Sequence, residues 1–136
     1  MERPGEANVP TPGKHGPTWE EFVKMVWGQP KSKAPGRDCL NAYLITISRP
    51  EIGRLYHAVV NHFWQQTMPT EMTTASLIFL YKKEDAQDPK NFRPITLLPL
   101  VYKILASHTT VLMERYIEDM GGLHNAQHRG RHHYRA

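Results

Sequence analysis

The chain has 136 residues, 40% of them hydrophobic, which is enough for one compact domain with a real core. Its formal net charge of +4 favours a polyanionic partner only weakly, because a charge of this size also serves solubility. The single cysteine, Cys39, excludes an intrachain disulfide and an all-cysteine metal site and fits a reducing compartment. The apolar runs are too short to span a membrane and no signal peptide is evident, so we expect an intracellular protein without membrane contact.

The N-terminal part of the chain predicts a flexible lead-in followed by a helix. Residues 1–17 contain four prolines and three glycines and almost no large apolar side chain. Thr18 and Glu21 then have the spacing of a capping box. Apolar residues recur at helical spacing behind that box, up to Gly28. We therefore predict a short amphipathic helix that ends at Gly28.

Residues 29–66 predict a turn-rich loop and two further helices. Pro35-Gly36 is typical of a tight turn, and Asp38 is the expected N-cap of a brief helix that starts near Leu40. Residues 48–51 have the pattern of a second capping box with a proline in the first helical turn. The apolar positions behind this box follow helical spacing as far as residue 64. His57 and His62 lie five residues apart, off a common helix face, which argues against a metal pair.

Residues 76–98 predict an antiparallel β-hairpin. Two short apolar runs, residues 77–81 and 95–98, flank a polar segment that contains the turn signal Asp88-Pro89. This hairpin would gather four cationic side chains near one end: Lys82, Lys83, Lys90 and Arg93. Cations this close together repel one another unless an anion binds between them. An ordinary solvated hairpin tip is the alternative interpretation, and the residues alone do not decide between the two.

Residues 99–120 predict a helix, with Pro99 in its first turn and Gly121-Gly122 at its C-terminal end. Tyr102 and Ile104 are expected in the core, and His108 is expected to be a core or boundary histidine. In the basic tail, residues 123–136, His124, His128 and His132 have a spacing that would suit a helical zinc site. Gly130 argues against such a helix, so we expect a disordered tail. The fold class predicted from these elements is α+β.

Several groups of residues occur in an order typical of one protein family. They are Lys33-Ala34-Pro35-Gly36-Arg37-Asp38, Tyr81-Lys82-Lys83-Glu84-Asp85, Asp88-Pro89, Asn91-Phe92-Arg93-Pro94-Ile95-Thr96-Leu97-Leu98 and Tyr102-Lys103-Ile104. Together they closely resemble the fingers region of reverse transcriptases from non-LTR (LINE-type) retrotransposons, over roughly residues 18–127. Cys39 stands where the family usually has a glycine, and His128-Arg129 departs from the family's Gly-Phe-Arg.

The resemblance implies roles for seven residues. Arg93 matches the arginine that meets the phosphates of the incoming nucleotide, and the partner lysine is either Lys82 or Lys83. We expect the template or nucleic-acid backbone to be contacted by Lys33, Gly36, Phe92 and Lys103. For Phe92 a purely hydrophobic anchoring of the hairpin is at least as well supported.

The resemblance also implies what this chain lacks. Template-directed polymerisation uses two divalent metal ions held by clustered aspartates. The four aspartates Asp38, Asp85, Asp88 and Asp119 all have local structural explanations, and the family's two metal-binding motifs would lie beyond residue 136. We therefore expect no catalytic residue, metal site or cofactor in this chain, with Mg²⁺ required only by the full-length polymerase.

The leading hypothesis is a reverse-transcriptase fragment, with residues 18–122 as a partial fingers region that is inactive alone. Its partners would be an RNA template or RNA/DNA hybrid, a deoxynucleoside triphosphate, and the palm and thumb of the polymerase. The alternatives are a non-enzymatic remnant that binds RNA or single-stranded DNA without sequence preference, and a pseudogene product without selected activity. Without the palm, exposed apolar surface and aggregation are expected.

Overall fold

The structure is a computed structural model that describes residues 15–83 and 85–121. The α+β prediction is confirmed for these residues. Five helices and one two-stranded antiparallel sheet follow one another along the chain: α1 (Trp19–Trp27), α2 (Ala42–Ile47), α3 (Pro50–Gln65), α4 (Thr70–Thr73), β1 (Ser76–Tyr81), β2 (Phe92–Leu97) and α5 (Leu100–Asp119). A 3-10 turn, Pro89–Asn91, precedes β2. None of the described helices combines the length and apolarity needed to cross a bilayer.

Helix α1 begins as the sequence predicts. The Thr18 hydroxyl accepts a hydrogen bond from the Glu21 N–H at 3.2 Å, and Glu21 Oε2 accepts one from the Thr18 N–H at 3.0 Å. This reciprocal pair satisfies two backbone donors that the first helical turn would otherwise leave without partners. Phe22 and Val26, one turn apart, then point into the core.

The starts of α2 and α3 correct two predictions. Asn41, and not Asp38, is the N-cap of α2: its Oδ1 accepts from the Leu44 N–H at 2.9 Å. The predicted second capping box is wrong, because the Ser48 hydroxyl instead donates to the Ile45 carbonyl at 2.8 Å, at the end of α2. Helix α3 has no side-chain cap, although Pro50 does occupy its first turn as predicted. The short helix α4 lies in a segment for which the sequence predicts only a link.

The hydrophobic core lies between the helices, and α5 contributes most to it. Its fully or almost fully buried apolar residues are Phe22, Val26, Ala42, Ile45, Val60, Leu100, Val101, Ile104 and Leu105. His108 is buried beside them, as expected. The centroid of its ring lies 4.9 Å from the centroid of the Trp64 ring. Tyr102 is exposed, which corrects its expected place in the core. A helix turns by about 100° per residue, so Tyr102 lies about 160° around the helix from Ile104, which shares one face with the buried Val101 and Leu105.

The hairpin forms where the sequence predicts it. Its register pairs Ser76 with Leu97 at the open end and Tyr81 with Phe92 at the closed end. The strands pack chiefly on each other. Both faces of the ribbon therefore remain exposed, including large apolar side chains at five consecutive positions of β1: Leu77, Ile78, Phe79, Leu80 and Tyr81.

The two ends of the described chain bear on the predicted boundaries. Pro17 is fully buried, and its carbonyl accepts a hydrogen bond from Asn61 Nδ2 at 3.2 Å. At the other end, Met120 is the C-cap of α5, and Gly121 takes a left-handed conformation with φ 63° while its N–H donates to the Glu118 carbonyl. The first 14 residues, Gly122 and the histidine-rich tail lie outside the described residues.

Candidate nucleotide-phosphate interface

The closed end of the hairpin places Lys82 beside Arg93. Arg93 is paired across the ribbon with Leu80, and the Lys82 N–H donates to the Asn91 carbonyl at 2.8 Å, which continues the ladder by one step. Cross-strand neighbours share a face, so Lys82 and Arg93 are diagonal neighbours on that face, with backbones about 7–8 Å apart. Lys83 follows at a bend beyond the ladder, so strand alternation no longer fixes the face on which it lies.

The carboxylates of the hairpin loop are occupied by backbone donors. Asp85 Oδ1 accepts from the Gln87 N–H at 2.9 Å, and Asp88 Oδ1 accepts from the Lys90 N–H at 3.0 Å. Asn91 Nδ2 closes the loop through a bond to the Asp85 carbonyl at 2.8 Å. These bonds fold the loop back on itself as Asx-type turns. The two aspartates therefore stabilise the loop and do not pair with the nearby cations.

The cations at this end of the ribbon form no ion pair with a carboxylate of the described residues. Lys82, Lys83, Lys90 and Arg93 are all exposed. Over residues 15–83 and 85–121, none of the four forms an ion pair, and both ion pairs that occur there are made by Glu21. Arg93 is thus not turned inward against a carboxylate. An arginine fork and one or two lysines on a short ribbon can bind the oxygens of a phosphate group.

Phe92 anchors the closed end of the ribbon. Its half-buried ring lies across from Tyr81, with 5.6 Å between ring centroids. Such an aromatic cross-strand pair stabilises a hairpin by a fraction of a kcal/mol up to about 1 kcal/mol. Base stacking by Phe92 remains a prediction.

The loop that contains Lys33 and Gly36 packs against the start of α5. A Cβ added to Gly36 would lie 2.5 Å from the Leu98 carbonyl carbon and 2.6 Å from the Pro99 nitrogen, so only glycine fits there. Gly36 is buried, whereas Lys33 is exposed. The missing side chain thus serves a close approach within the chain. Contacts of Lys33 and Gly36 with a template remain predictions.

Asp38 joins the same loop to α5 through a long-range cap. Its Oδ1 accepts from the Leu40 N–H at 3.3 Å, and its Oδ2 accepts from the Leu100 N–H at 2.9 Å. The carboxylate also lies at the positive end of the α5 dipole, which is favourable for a negative charge. The sequence carries one signal for this contact: Leu98-Pro99 provides no side-chain cap of its own before α5. The acceptor must then come from elsewhere in the fold.

Two further features mark this junction. Burial, together with the charge of Asp38, raises the pKa of the Tyr56 phenol above its usual value of 10.0.

Cys39 adopts a left-handed backbone conformation with φ 55°, at the position where the related motif usually has glycine. Its N–H donates to the Gly36 carbonyl at 3.1 Å and closes a tight turn. A residue with a Cβ therefore occupies a left-handed position that glycine adopts at lower cost.

Lys103 lies in the first turns of α5, where its N–H donates to the Pro99 carbonyl at 3.2 Å. Its side chain is half-buried and makes no ion pair within the described part of the chain. A cation near a helix N-terminus is unfavourable for the helix dipole. The structure brings Lys82 and Arg93 together and places Lys83 next to them. A contact of Lys103 with a template remains a prediction, as it does for Lys33.

Comparison with known proteins gives one relevant similarity. Residues of this chain are 28% identical over 104 positions to the "Transposon TX1 uncharacterized 149 kDa protein" of Xenopus laevis. The match covers 76% of this chain and 8% of that relative. No protein-family model matches, and no solved structure matches. Taken with the order of the motifs, the similarity supports an origin of this sequence in a non-LTR retrotransposon.

Proposed function

We propose that this chain is the fingers segment of a reverse transcriptase encoded by a LINE-type retroelement. In this proposal Arg93, with Lys82 or Lys83, binds the phosphates of the incoming deoxynucleoside triphosphate. The observation that supports it is the group of exposed cations at the closed end of the ribbon, which form no ion pair among the described residues, while Asp85 and Asp88 accept hydrogen bonds from the backbone.

The chemistry of these side chains suits a triphosphate. The Arg93 guanidinium can hold two phosphate oxygens at once, and a hydrogen bond to a charged group contributes about 1.5–3 kcal/mol. Lys82, its diagonal neighbour, adds a point charge on the same face. Arg93 is therefore the residue whose replacement by lysine should matter most, because lysine keeps the charge but loses the fork.

The proposal places this segment within a longer polypeptide. The transposon protein with which it aligns is many times longer than the matched region. The ribbon is apolar and exposed on both faces, as expected of an element that packs against further protein. Within the described residues, no group of three or more His, Cys, Asp or Glu side chains is placed to hold a metal ion. In this proposal, the carboxylates for a magnesium-dependent step belong to the palm.

The salt dependence of RNA binding tests the phosphate contacts. For single-stranded RNA, the slope of log Kobs against log salt falls by about 0.7 for each phosphate contact that is lost. Arg93→Ala combined with Lys82→Ala, which removes the two cations that share one face of the ribbon, should therefore reduce the slope by about 1.4. The control is Lys24→Ala combined with Arg49→Ala, which removes the same charge from exposed positions away from the hairpin.

Equal slopes for the two double variants would contradict the proposal, because they would show that binding depends on net charge alone.

A second assay tests where the catalytic carboxylates lie. Primer extension on an RNA template with Mg²⁺ should give no product with the 136-residue chain alone. Robust cDNA synthesis by the purified chain would contradict the proposal that the catalytic carboxylates lie elsewhere.

A further inference from the structure

A small cleft lies between the end of α1, the turn that follows it and α2. It has a volume of about 320 Å³, close to the lower end of the range for pockets that hold small ligands. The cleft is lined by Val26, Trp27, Gln29, Lys31, Tyr43, Thr46 and Ile47. Nothing in the proposed phosphate contacts uses any of these residues.

Two aromatic rings at the cleft are accessible to solvent. Trp27 is 53% exposed and Tyr43 is 38% exposed, whereas the core aromatic Phe22 on the same helix is fully buried. A large aromatic side chain at the end of a short helix gains little from folding when half of it stays in water. Exposed rings at a concave site are well suited to stacking on a planar ligand.

The charge of the cleft is one-sided. Lys31 Nζ lies 5.7 Å from the centroid of the Tyr43 ring, and no carboxylate is among the lining residues. Lys33 belongs to the same turn, in which its N–H donates to the Pro30 carbonyl at 3.4 Å. Lys31 and Lys33 are both exposed. An anionic group next to the planar ligand would therefore be favoured.

We propose that this cleft binds one base of a single-stranded RNA, stacked on Trp27 or Tyr43, with the adjoining phosphate at Lys31. Gln29 at the rim has an amide that both donates and accepts hydrogen bonds, as the edge of a base requires. An apolar peptide would leave the charge of Lys31 without a partner, and an acidic peptide would leave the two exposed rings without a stacking partner. The inference rests on the proposed function and deepens it, because a reverse-transcriptase fingers segment would meet an RNA template, and the cleft adds a base contact to the phosphate contacts proposed at the hairpin.

The test compares two fluorescein-labelled 12-mers, oligo(U) and an abasic ribose-phosphate chain of equal charge. Stacking contributes about 1–3 kcal/mol per base, and tenfold in affinity corresponds to about 1.4 kcal/mol. The 136-residue chain should bind oligo(U) about tenfold more tightly than the abasic chain. Trp27→Ala combined with Tyr43→Ala should remove this preference and leave abasic binding unchanged. Leu55→Ala, which truncates a 63% exposed apolar residue on α3, is the control and should retain the preference.

The outcomes separate this inference from the proposed function. A slope reduced by about 1.4 in Arg93→Ala with Lys82→Ala, together with loss of the base preference only in the cleft variant, supports both. Equal affinity of the unmodified chain for the two oligomers overturns the cleft assignment and leaves the phosphate contacts standing. Trp27→Phe keeps a ring and needs no change in packing, so it should retain most of the preference. A preference that survives the double alanine variant also overturns the inference.

Discussion

The helical part of this protein and its β-hairpin bury their apolar residues to very different extents. Helices α1, α2, α3 and α5 share one core, in which Phe22 and Val60 are fully buried and Ile104 is 1% exposed. The hairpin is just as apolar along β1, yet Phe79 on that strand is 63% exposed. A two-stranded ribbon without cover is marginally stable in water. The helices thus bury a common core, whereas the ribbon leaves its apolar side chains exposed, which fits the proposed packing against further protein.

The largest expected effect compares one phenylalanine from each region. Phe22→Ala removes a fully buried ring and should lower the free energy of unfolding by about 3–5 kcal/mol. Phe79→Ala removes a mostly exposed ring and should change it by about 0.5 kcal/mol or less. Urea denaturation followed by circular dichroism measures both. Similar losses for the two variants would contradict the division into a self-supporting core and an uncovered ribbon.

The contact of Asp38 with the start of α5, where the chain leaves the hairpin and re-enters the helical part, provides the next prediction. Asp38→Ala removes the side-chain acceptor of the Leu100 N–H and should destabilise the chain by about 1–2 kcal/mol. Asp38→Asn keeps an acceptor and should lose less. Asp119→Ala, at the opposite end of α5, is the control and should cost little, because a negative charge there does not favour the helix dipole. If Asp38→Ala unfolds at the same urea concentration as the unmodified chain, the long-range cap is unimportant.

A smaller effect of opposite sign is expected at Cys39. A non-glycine residue at φ 55° carries a conformational cost of about 1–2 kcal/mol. Cys39→Gly relieves this strain but gains flexibility in the unfolded chain, so the net stabilisation should be about 1 kcal/mol or less. Cys39→Ala keeps a Cβ and should bring no gain. Thermal unfolding of the two variants under reducing conditions measures the difference.

The pKa of Tyr56 predicts a loss of stability at alkaline pH. The folded state holds this pKa above 10.0, so above about pH 10 the unfolded chain releases the phenolic proton while the folded chain keeps it. The free energy of unfolding should then fall with rising pH, by up to about 1.4 kcal/mol per pH unit from this group. Tyr56→Phe should show a shallower decline between pH 10 and 11. A decline of the same steepness in both proteins would assign it to other groups.

The sequence predicts the regions of this fold unequally, for physical reasons. The α1 capping box, the long α3 and the hairpin follow from contacts between residues close in the chain, and these predictions are confirmed. The role of Asp38 was assigned to the wrong helix, because its carboxylate reaches a partner 62 residues away. Local propensity does not encode such a contact. Gly36 shows the same limit: its required lack of a side chain depends on Leu98 and Pro99.

The candidate site divides in the same way. Lys82 and Arg93 can be identified from the sequence because they flank one hairpin whose ladder makes them diagonal neighbours, and Lys83 follows Lys82 directly in the chain. The cleft at Trp27 and Tyr43 escapes sequence reasoning because helical periodicity assigns Trp27 to the buried face of α1, whereas the end of the helix leaves it half exposed. Only the placement of α2 beside α1 shows that the two rings border one cavity.

The most direct test of the central claim is a titration of the 136-residue chain with dTTP, followed by NMR of the arginine side-chain Nε–H signals. We predict a saturable shift of the Arg93 signal, assigned by its absence in Arg93→Lys. Arg54, whose guanidinium lies 4.8 Å from the centroid of the Trp19 ring, is the internal control and should shift little. Equal small shifts of all arginines, or a stationary Arg93 signal at saturating dTTP, would contradict the claim that the end of the ribbon binds a triphosphate.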